Sequence, residues 1–371
     1  MSWIANLDTT VLEYLSKLQK EGSEFSFNPS QNSVTTEGKN LNLGFSCYAL
    51  KILKLIGSVD KFSDDKIEKW AGYINSFQKI DSFSNTNSFI DDEYINLFKS
   101  QNLFSGYAYP IKYISNFLLG TDYKSNNLKI ENYIRAETKQ SISTLYEINK
   151  PNQILYQEFP KNELEITNYL EGLNWNYPWS SGGQFSAICV FLKTQLKSDN
   201  FEKLKNTVIQ FTDKTVNNEN GLYYEGNKRN EYELINGAMK VLTGLDWIDA
   251  KIQYPEKIID FCLNSKISNR GCDMVDVVYV LYRCSKETNH KKKEVLNFCE
   301  NILAMIKTHF SLSEGGFSYF QDQNQTHYYD VKIANEKNQA DIHGTLLCMW
   351  AIVMIMELSD LDYFTYSVLK P

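Results

Sequence analysis

One turn-and-helix unit occurs three times in the sequence and limits what the chain can fold into. In the C-terminal copy, a Gly-Gly-aromatic turn at 315–317 and a polar loop lead into a helical stretch whose first turn carries Asp341, His343 and Thr345. The turns and their helical stretches are 179–184 with 185–197, 221–224 with 232–245, and 314–320 with 340–358. Because repeated units of this kind bury their apolar faces against one another, the repeat predicts a single domain over residues 1–371.

The charge of the chain argues against one class of partner. The 371 residues carry a formal net charge of -7, and the short lysine run at 291–293 is typical of a solvated helix face. Surfaces that bind nucleic acid are normally strongly basic. Hydrophobic residues make up 43% of the chain, which is enough for a substantial core. The sequence therefore predicts a globular protein with a small-molecule partner and no nucleic-acid partner.

The cysteines and the N-terminus indicate a cytoplasmic protein. The seven cysteines form no Cys-x-x-Cys motif, and most lie in apolar helical runs, as reduced core cysteines do. The N-terminus lacks the basic and apolar segments of a signal peptide. The longest apolar stretch, 346–358, is too short to span a bilayer comfortably, so no transmembrane segment is expected. The oligomeric state is not indicated, and the segment 361–369 can pack either on its own domain or on a second subunit.

Apolar residues at helical spacing predict helices along most of the chain, and no strand-like alternation recurs. The stretches 161–173, 201–216 and 291–309 are amphipathic and carry lysines, whereas others are apolar nearly all round and must be buried. The predicted inner helices are 41–56, 134–148, 182–196, 231–245, 273–284 and 340–358. Since an outer helix precedes each of them, the sequence predicts an all-α (α/α)6 toroid of six outer and inner helix hairpins. An elaborated connection at about 80–130 includes a short helix at 111–119.

The repeated units resemble those of the squalene-cyclase and protein-prenyltransferase superfamily, the terpenoid cyclase-like α/α toroids. The segments that carry the resemblance are 135–140 before Leu145, 220–223 after Gln210, 275–279 and 315–317. The resemblance extends over roughly residues 40–358. It implies a central pocket and an enzyme that acts on an isoprenoid-like or other apolar small substrate.

The resemblance also raises the question of a metal. Protein prenyltransferases hold zinc with an Asp, a Cys two residues later, and a His in an Asp-x-x-His-Thr setting. Asp276 matches the Asp, but Val278 stands where the Cys is needed, and His343 lies in a related motif with altered spacing. Cys272 lies one helical turn before Asp276 on the same face and can substitute for the missing ligand. The resemblance therefore implies either no cofactor or a zinc ion on Cys272, Asp276 and His343.

Other catalytic signatures do not occur in the sequence. The acidic motifs of terpene cyclases, Asp-x-Asp-Asp and Asp-Asp-x-x-Asp, are missing, and the nearest approach, 91–93, is explained by an acidic helix N-terminus. Nucleophile elbows, P-loops, Rossmann glycine patterns and His-Glu-x-x-His motifs are also missing. Several reaction classes are thereby excluded by their usual signatures.

Four residues are candidates for catalysis, because the first turns of the inner helices meet at one mouth of a toroid. His343 can exchange protons near neutral pH, with Asp341 orienting it; a hydrogen-bonded core histidine and a helix cap are the alternatives. Asp276 lies between two valines, where a carboxylate needs a cation, a proton or a substrate. It would form an acid/base pair with His343, or else a buried hydrogen bond to a neighbouring helix. Glu137, near the predicted start of the second inner helix, is the fourth candidate.

Polar and aromatic side chains around the same mouth are candidates for substrate binding. An arginine there suits a carboxylate or phosphate, and aromatic rings attract carbocations or stack on sugar rings. The candidates are Arg135, Gln140, Trp179, Gln184, Tyr223, Asn236, Phe317 and Tyr319. Isoprenoid-like and sugar substrates are both compatible with this set.

The leading hypothesis is an enzyme of cyclase, lyase or transferase type that performs acid/base chemistry on an isoprenoid-like or other apolar substrate. The first alternative is a carbohydrate-active toroid, a glycoside hydrolase, polysaccharide lyase or epimerase, with Glu137 and Asp276 as paired acids. The second is a non-catalytic binding scaffold whose pocket is filled by Trp179, Phe317 and Tyr319.

Overall fold

A computed structural model of the chain describes residues 2–80, 86–101, 125–226 and 230–370. The predicted helix at 111–119 lies outside these residues. The helices are α1 (Leu7–Leu18), α2 (Thr36–Asn40), α3 (Leu43–Leu55), α4 (Asp64–Asn75), α5 (Asp92–Gln101), α6 (Asn126–Glu147), α7 (Glu163–Glu171), α8 (Pro178–Gln195), α9 (Ser198–Thr215), α10 (Glu231–Trp247), α11 (Pro255–Asn264), α12 (Gly271–Ser285), α13 (Lys292–Lys307) and α14 (Ile342–Leu358). The prediction of an all-α protein is confirmed.

Two short antiparallel hairpins accompany the helices in the described residues. The first pairs β1 (Gln78–Ile80) with β2 (Asn87–Phe89), and the second pairs β3 (His327–Tyr328) with β4 (Val331–Lys332). The turn of the second hairpin is the pair Tyr329 and Asp330, both with positive φ, as a two-residue hairpin of primed type requires. Such conformations are uncommon for a residue as large as tyrosine.

Six helices pack in a closed circuit. In order along the chain, α3 packs against α6, α6 against α8, α8 against α10, α10 against α12 and α12 against α14, and α14 packs against α3. These six helices overlap the six predicted inner helices. Helix α14 illustrates the cause: its only charged side chain is Glu357, so it has no face that favours water. In the described part of the chain, no helix combines the length and apolarity needed to cross a membrane.

The amphipathic helices pack against members of this six-helix circuit. Helix α4 contacts α3 and α6, α9 contacts α8 and α7, α11 contacts α12, and α13 contacts α12 and α14. Helix α13 turns its lysines to solvent and buries Val295, Cys299, Ile302, Leu303 and Ile306. One buried face per helix is what the amphipathic pattern predicts.

Helices α8 and α10 pack closely against each other because small residues lie between them. A Cβ atom added to Gly237 would lie 2.6 Å from the side chain of Pro178, and one added to Gly182 would lie 2.8 Å from the carbonyl oxygen of Gly237. Real Cβ atoms do not approach other atoms this closely. The glycines therefore set the distance between the two helices and fix where the α10 side chains stand.

Two inner helices begin earlier than the sequence predicts. Helix α6 begins at Asn126 rather than at 134, because the Ser125 hydroxyl accepts the Leu128 backbone N–H at 3.2 Å as an N-cap. Helix α8 begins at Pro178, whose fixed φ suits the first helical position. The prediction that Arg135, Glu137 and Gln140 occupy the first turns of an inner helix was therefore wrong; they lie in the middle of α6. Trp179 and Gln184 likewise belong to α8 itself.

The C-terminal segment packs on its own chain, one of the two arrangements that the sequence allows. The Ser367 backbone N–H donates to the carbonyl of Leu55 at 3.2 Å, and the Lys370 backbone N–H donates to Glu147 at 2.7 Å. The Lys370 amine reaches the carbonyl of Asp246 at 3.0 Å, and Leu369 is buried. The segment thus crosses the C-terminal ends of α3, α6 and α10 and covers that end of the circuit.

Candidate functional site

Ionisable side chains on four of these six helices act on one another through their charges. We call this set the interior cluster: Lys139 of α6, Lys240 of α10, Cys272 and Asp276 of α12, and His343 of α14. The charge of Lys240 lowers the pKa of each of the other four groups. Helices α6 and α14 are not neighbours of α10 in the circuit. The charge of Lys240 on α10 thus acts on groups of two helices that are not its neighbours in the circuit.

His343 is held between two tyrosine rings. Its ring stacks on Tyr48 of α3 at a centroid distance of 4.9 Å and on Tyr319 at 5.1 Å, with interplanar angles of 10° and 28°. Its Nδ1 atom lies 3.0 Å from the Oε1 atom of Gln325. Burial, with a smaller contribution from the charge of Lys240, lowers the pKa of His343 to about 3. The imidazole is therefore neutral at physiological pH, and with Gln325 accepting the Nδ1 proton, Nε2 carries the free lone pair.

Asp341 is the N-cap of α14 and organises the loop beside His343. Its Oδ1 atom accepts the Gly344 N–H at 2.7 Å, and its Oδ2 atom accepts the N–H groups of Tyr319 at 2.8 Å and Gln325 at 3.0 Å. Burial raises its pKa to about 6, although these backbone hydrogen bonds lower it. Both oxygens are occupied by the backbone, which corresponds to the helix-cap alternative. Asp341 therefore positions Tyr319 and Gln325, which in turn hold His343.

Asp276 and Cys272 lie one turn apart on α12, with Tyr319 beside them. The Tyr319 hydroxyl donates to the Cys272 sulfur at 2.9 Å. Asp276 is 4% exposed, and its carboxyl has no hydrogen-bond partner within the described residues. Burial raises the pKa of Asp276 to about 7, Lys240 lowers it, and Asp273 raises it. A buried carboxyl in this state changes its charge near neutral pH.

Asp273 is satisfied by its own neighbours. Its Oδ1 atom accepts the amide of Asn236 at 3.0 Å, and its other oxygen accepts the hydroxyl of Ser268. Asn236, a predicted substrate-binding residue, thus joins α10 to α12 at the edge of the interior cluster. Of the two aspartates that open α12, Asp276 is the one without a partner in the described residues.

The three hypothetical zinc ligands share the interior but do not form a metal-binding group. Among the described residues, no set of three or more His, Cys, Asp or Glu side chains is arranged to hold a metal ion. The Cys272 sulfur already accepts the Tyr319 hydroxyl, and burial together with Asp276 raises the pKa of its thiol to about 12. Zinc binds the thiolate form, so this environment does not favour coordination.

Glu137 faces the β3–β4 hairpin instead of the interior cluster. It is completely buried, the Tyr328 hydroxyl donates to one of its oxygens, and the other oxygen has no hydrogen-bond partner. Burial raises its pKa to about 8, with a smaller increase from Asp91. The charges that shift the pKa of Asp276 are those of Lys240 and Asp273. The structure thus does not bring Glu137 and Asp276 together as a pair.

Arg135 and Gln184 lie together between α6 and α8. The Arg135 Nη1 atom donates to the Oε1 atom of Gln184 at 2.7 Å and to the Tyr169 hydroxyl at 3.1 Å. Arg135 lines a surface pocket of about 410 Å³ together with Phe159, Tyr169 and residues of α8. Gln140 is half-buried, with its amide 3.5 Å from the carbonyl of Gly44.

The remaining predicted substrate-binding residues are dispersed. Tyr319 contacts the interior cluster. Trp179 is 49% exposed, whereas Tyr223 and Phe317 are buried in the core. The Phe317 ring packs on Phe310 at a centroid distance of 4.9 Å. Phe317 and Tyr223 therefore contribute to stability and do not line the interior.

Sequence reasoning missed Lys139, Lys240, Tyr48 and Gln325. Lys240 had a usable signal, because it lies on an inner helix between Met239 and Val241, as Asp276 lies between two valines, whereas Lys139 lies between polar residues. A lysine on a helix that is otherwise buried must face a partner, a ligand or an internal space. The contributions of Tyr48 and Gln325 depend on tertiary contacts and left no such signal.

The function has to be inferred from this geometry, because the comparisons with known proteins found no match. The resemblance to terpenoid cyclase-like toroids remains a prediction made from the sequence. No protein-family model matches the chain, and no match was found among the curated proteins or among the solved structures.

Proposed function

We propose that the six-helix circuit is the inner wall of an (α/α)6 toroid, and that its interior is the active site of an enzyme that performs acid/base chemistry on a small molecule. The closure of α14 onto α3 and the amphipathic helices packed against members of the circuit support the toroid. One observation carries the proposed activity. Asp276 is a buried carboxyl whose pKa is raised to about 7 and whose oxygens have no hydrogen-bond partner in the described residues.

The members of the interior cluster have different chemical roles. Asp276 exchanges protons, because a group with a pKa near the working pH is effective both as acid and as base. His343 stays neutral and offers the Nε2 lone pair as a fixed hydrogen-bond acceptor. Lys240, which acts on both, stabilises negative charge that develops on the substrate.

The lining indicates the kind of substrate. The aromatic rings of Tyr48 and Tyr319 supply apolar contact, and the lysine amines supply polar contact. This favours a small molecule with an apolar portion and a carbonyl or anionic group. An isoprenoid-like compound is one member of this class.

The position of the predicted pocket-filling residues supports an enzyme over a filled scaffold. Trp179 is exposed at the surface, and Phe317 packs in the core against Phe310. Of the three residues proposed to fill the pocket, Tyr319 is the one that contacts the interior cluster.

The proposal predicts the titration of Asp276. Carbon-13 NMR of protein labelled at the aspartate carboxyls, with Asp276→Asn to identify the resonance, should give a pKa of about 7. The Lys240→Gln variant should raise that pKa, because it removes the cation that stabilises the carboxylate. An Asp276 that titrates near its ordinary value of 3.8 would contradict the proposed acid/base role.

A binding screen then connects this residue to a substrate. Compounds with an apolar portion and a carbonyl or carboxylate group should include some that raise the melting temperature of the wild type but not of Asp276→Asn. Asp260→Asn, which removes a partly exposed aspartate in the middle of α11, is the control and should keep the response. Compounds that stabilise all three proteins equally would place the binding site elsewhere.

A further inference from the structure

A surface pocket of about 410 Å³ lies apart from the interior cluster. Its lining includes Arg135 of α6, Tyr169 of α7, Ile188 and Phe191 of α8, and Phe159 in the segment before α7. The Phe159 ring packs on Phe191 at a centroid distance of 5.8 Å. No member of the interior cluster is among the lining residues that the structure describes. The pocket is therefore a separate candidate for a ligand.

The hydrogen bonds of Arg135 leave one side of its guanidinium group free. Its Nη1 atom donates to the Oε1 atom of Gln184 at 2.7 Å and to the Tyr169 hydroxyl at 3.1 Å. Because Nη1 carries two protons, these two hydrogen bonds use both of them. Within the described residues, the Nε and Nη2 atoms have no hydrogen-bond partner. The Nε proton and one Nη2 proton lie side by side, and this pair fits the two oxygens of a carboxylate.

The positive charge of Arg135 is also unbalanced. Burial raises the pKa of Tyr169 despite the opposing charge of Arg135, so both acceptors of the guanidinium group are neutral at physiological pH. Arg135 is half-buried and forms no ion pair with the part of the chain that the structure describes. A cation that is partly removed from water and lacks a counter-ion favours the binding of an anion.

We propose that this pocket binds a small monocarboxylate that carries an aromatic or other flat apolar group. The carboxylate accepts the Nε and Nη2 protons of Arg135, and the apolar group lies against Phe159 and Phe191. Glu158 and Glu165 also line the pocket and are exposed. Their negative charges repel a dianion such as phosphate more strongly than a monoanion, which favours the carboxylate. The proposal does not depend on the acid/base function of the interior cluster.

NMR of the arginine side chains locates the ligand. The chain has four arginines, so protein labelled with nitrogen-15 arginine gives few Nε–H signals, and Arg135→Lys identifies the signal of Arg135. Addition of 3-phenylpropanoate should move this signal downfield, because a charge-assisted hydrogen bond to a carboxylate deshields the proton. The signal of Arg270, which is exposed and lies outside the pocket, should not move. An Arg135 signal that stays in place at millimolar ligand would overturn the proposal.

The charge of the ligand provides a test on the wild-type protein. The amide 3-phenylpropanamide has nearly the same shape as 3-phenylpropanoate but carries no charge. In isothermal titration calorimetry, the acid should bind at least about tenfold more tightly than the amide, because hydrogen bonds between charged groups are the stronger ones. Equal affinities for the two compounds would show that the pocket does not select an anion and would overturn the proposal.

Two substitutions separate the paired donors from the charge alone. Arg135→Lys keeps the positive charge but loses the paired donors, so the affinity for 3-phenylpropanoate should fall about tenfold. Arg135→Gln loses both, and the affinity should fall about a hundredfold. Arg270→Gln makes the same change at an exposed arginine and should bind as the wild type does. Undiminished binding by Arg135→Gln would place the ligand elsewhere and would overturn the proposal.

Discussion

Asp341→Ala is expected to lower the free energy of unfolding by about 3–5 kcal/mol, because three buried or partly buried backbone N–H groups lose their acceptor at once. The donors belong to Tyr319, Gln325 and Gly344, and Asp341 is 2% exposed, so water does not replace the lost oxygens. Asp341→Asn should also destabilise the protein strongly. Asparagine has one acceptor oxygen, whereas the native residue uses two. The side-chain NH₂ group would face backbone N–H groups, and two donors cannot form a hydrogen bond.

Denaturation in urea at neutral pH measures this loss, and Asn162→Ala is the matched control. Asn162 caps α7 by accepting the Glu165 N–H at 2.9 Å, but it does so at the surface and for a single donor. Its removal should cost about 1 kcal/mol. If Asp341→Ala costs no more than Asn162→Ala, Asp341 is an ordinary cap and does not hold the loop that carries Tyr319 and Gln325.

The helices that surround the site could be predicted because their side chains are so apolar that only a buried position is favourable. The stretch predicted at 340–358 is α14 (Ile342–Leu358), and the stretch predicted at 273–284 lies within α12 (Gly271–Ser285). Both are apolar on nearly every side, so no orientation at the surface is favourable. Their pairing with one another and with α3 could not be derived in the same way, because apolar surfaces carry little information about which partner they contact.

The start of α6 shows where local pattern fails. Residues 126–133 are mostly polar and lie largely in the predicted connection at about 80–130, yet the Ser125 cap and the burial of Ile130 and Tyr133 extend the helix by more than two turns. The extension moved Arg135, Glu137 and Gln140 from the expected helix start to its middle. Propensity is a weak signal compared with a cap and tertiary contact.

The phase of α6 then decides which of its residues reach the interior. Lys139 and Glu137 are two positions apart, and two positions correspond to about 200° around an α-helix. Glu137 therefore points away from Lys139, and the Tyr328 hydroxyl meets it there. By contrast, Cys272 and Asp276 are four positions apart and share the interior face, as the sequence predicted. The candidate site was thus partly predictable on α12 and α14, where spacing within one helix sufficed.

Glu137→Gln is expected to become progressively more stable than the wild type as the pH rises from about 4.5 to 8. The folded protein raises the pKa of Glu137 from its ordinary value of 4.5 to about 8, so folding favours the protonated form in this range. The stability that Glu137 contributes is fully present below pH 4.5 and is lost as the pH rises through 8. The loss amounts to about 1.4 kcal/mol for each pH unit. Glutamine does not titrate and keeps a neutral side chain beside Tyr328 at every pH.

Urea denaturation of both proteins across this range gives the difference directly, because contributions from all other groups are shared. Glu131→Gln removes an exposed glutamate from the same helix and controls for the change in net charge. Its pH profile should run parallel to that of the wild type, whereas the Glu137→Gln profile should diverge upward. Parallel profiles for all three proteins would mean that Glu137 titrates alike in the folded and unfolded states. In that case the unpartnered oxygen of Glu137 would not be desolvated in the folded protein. Glu137 would then accept the Tyr328 hydroxyl as an ordinary ionised carboxylate.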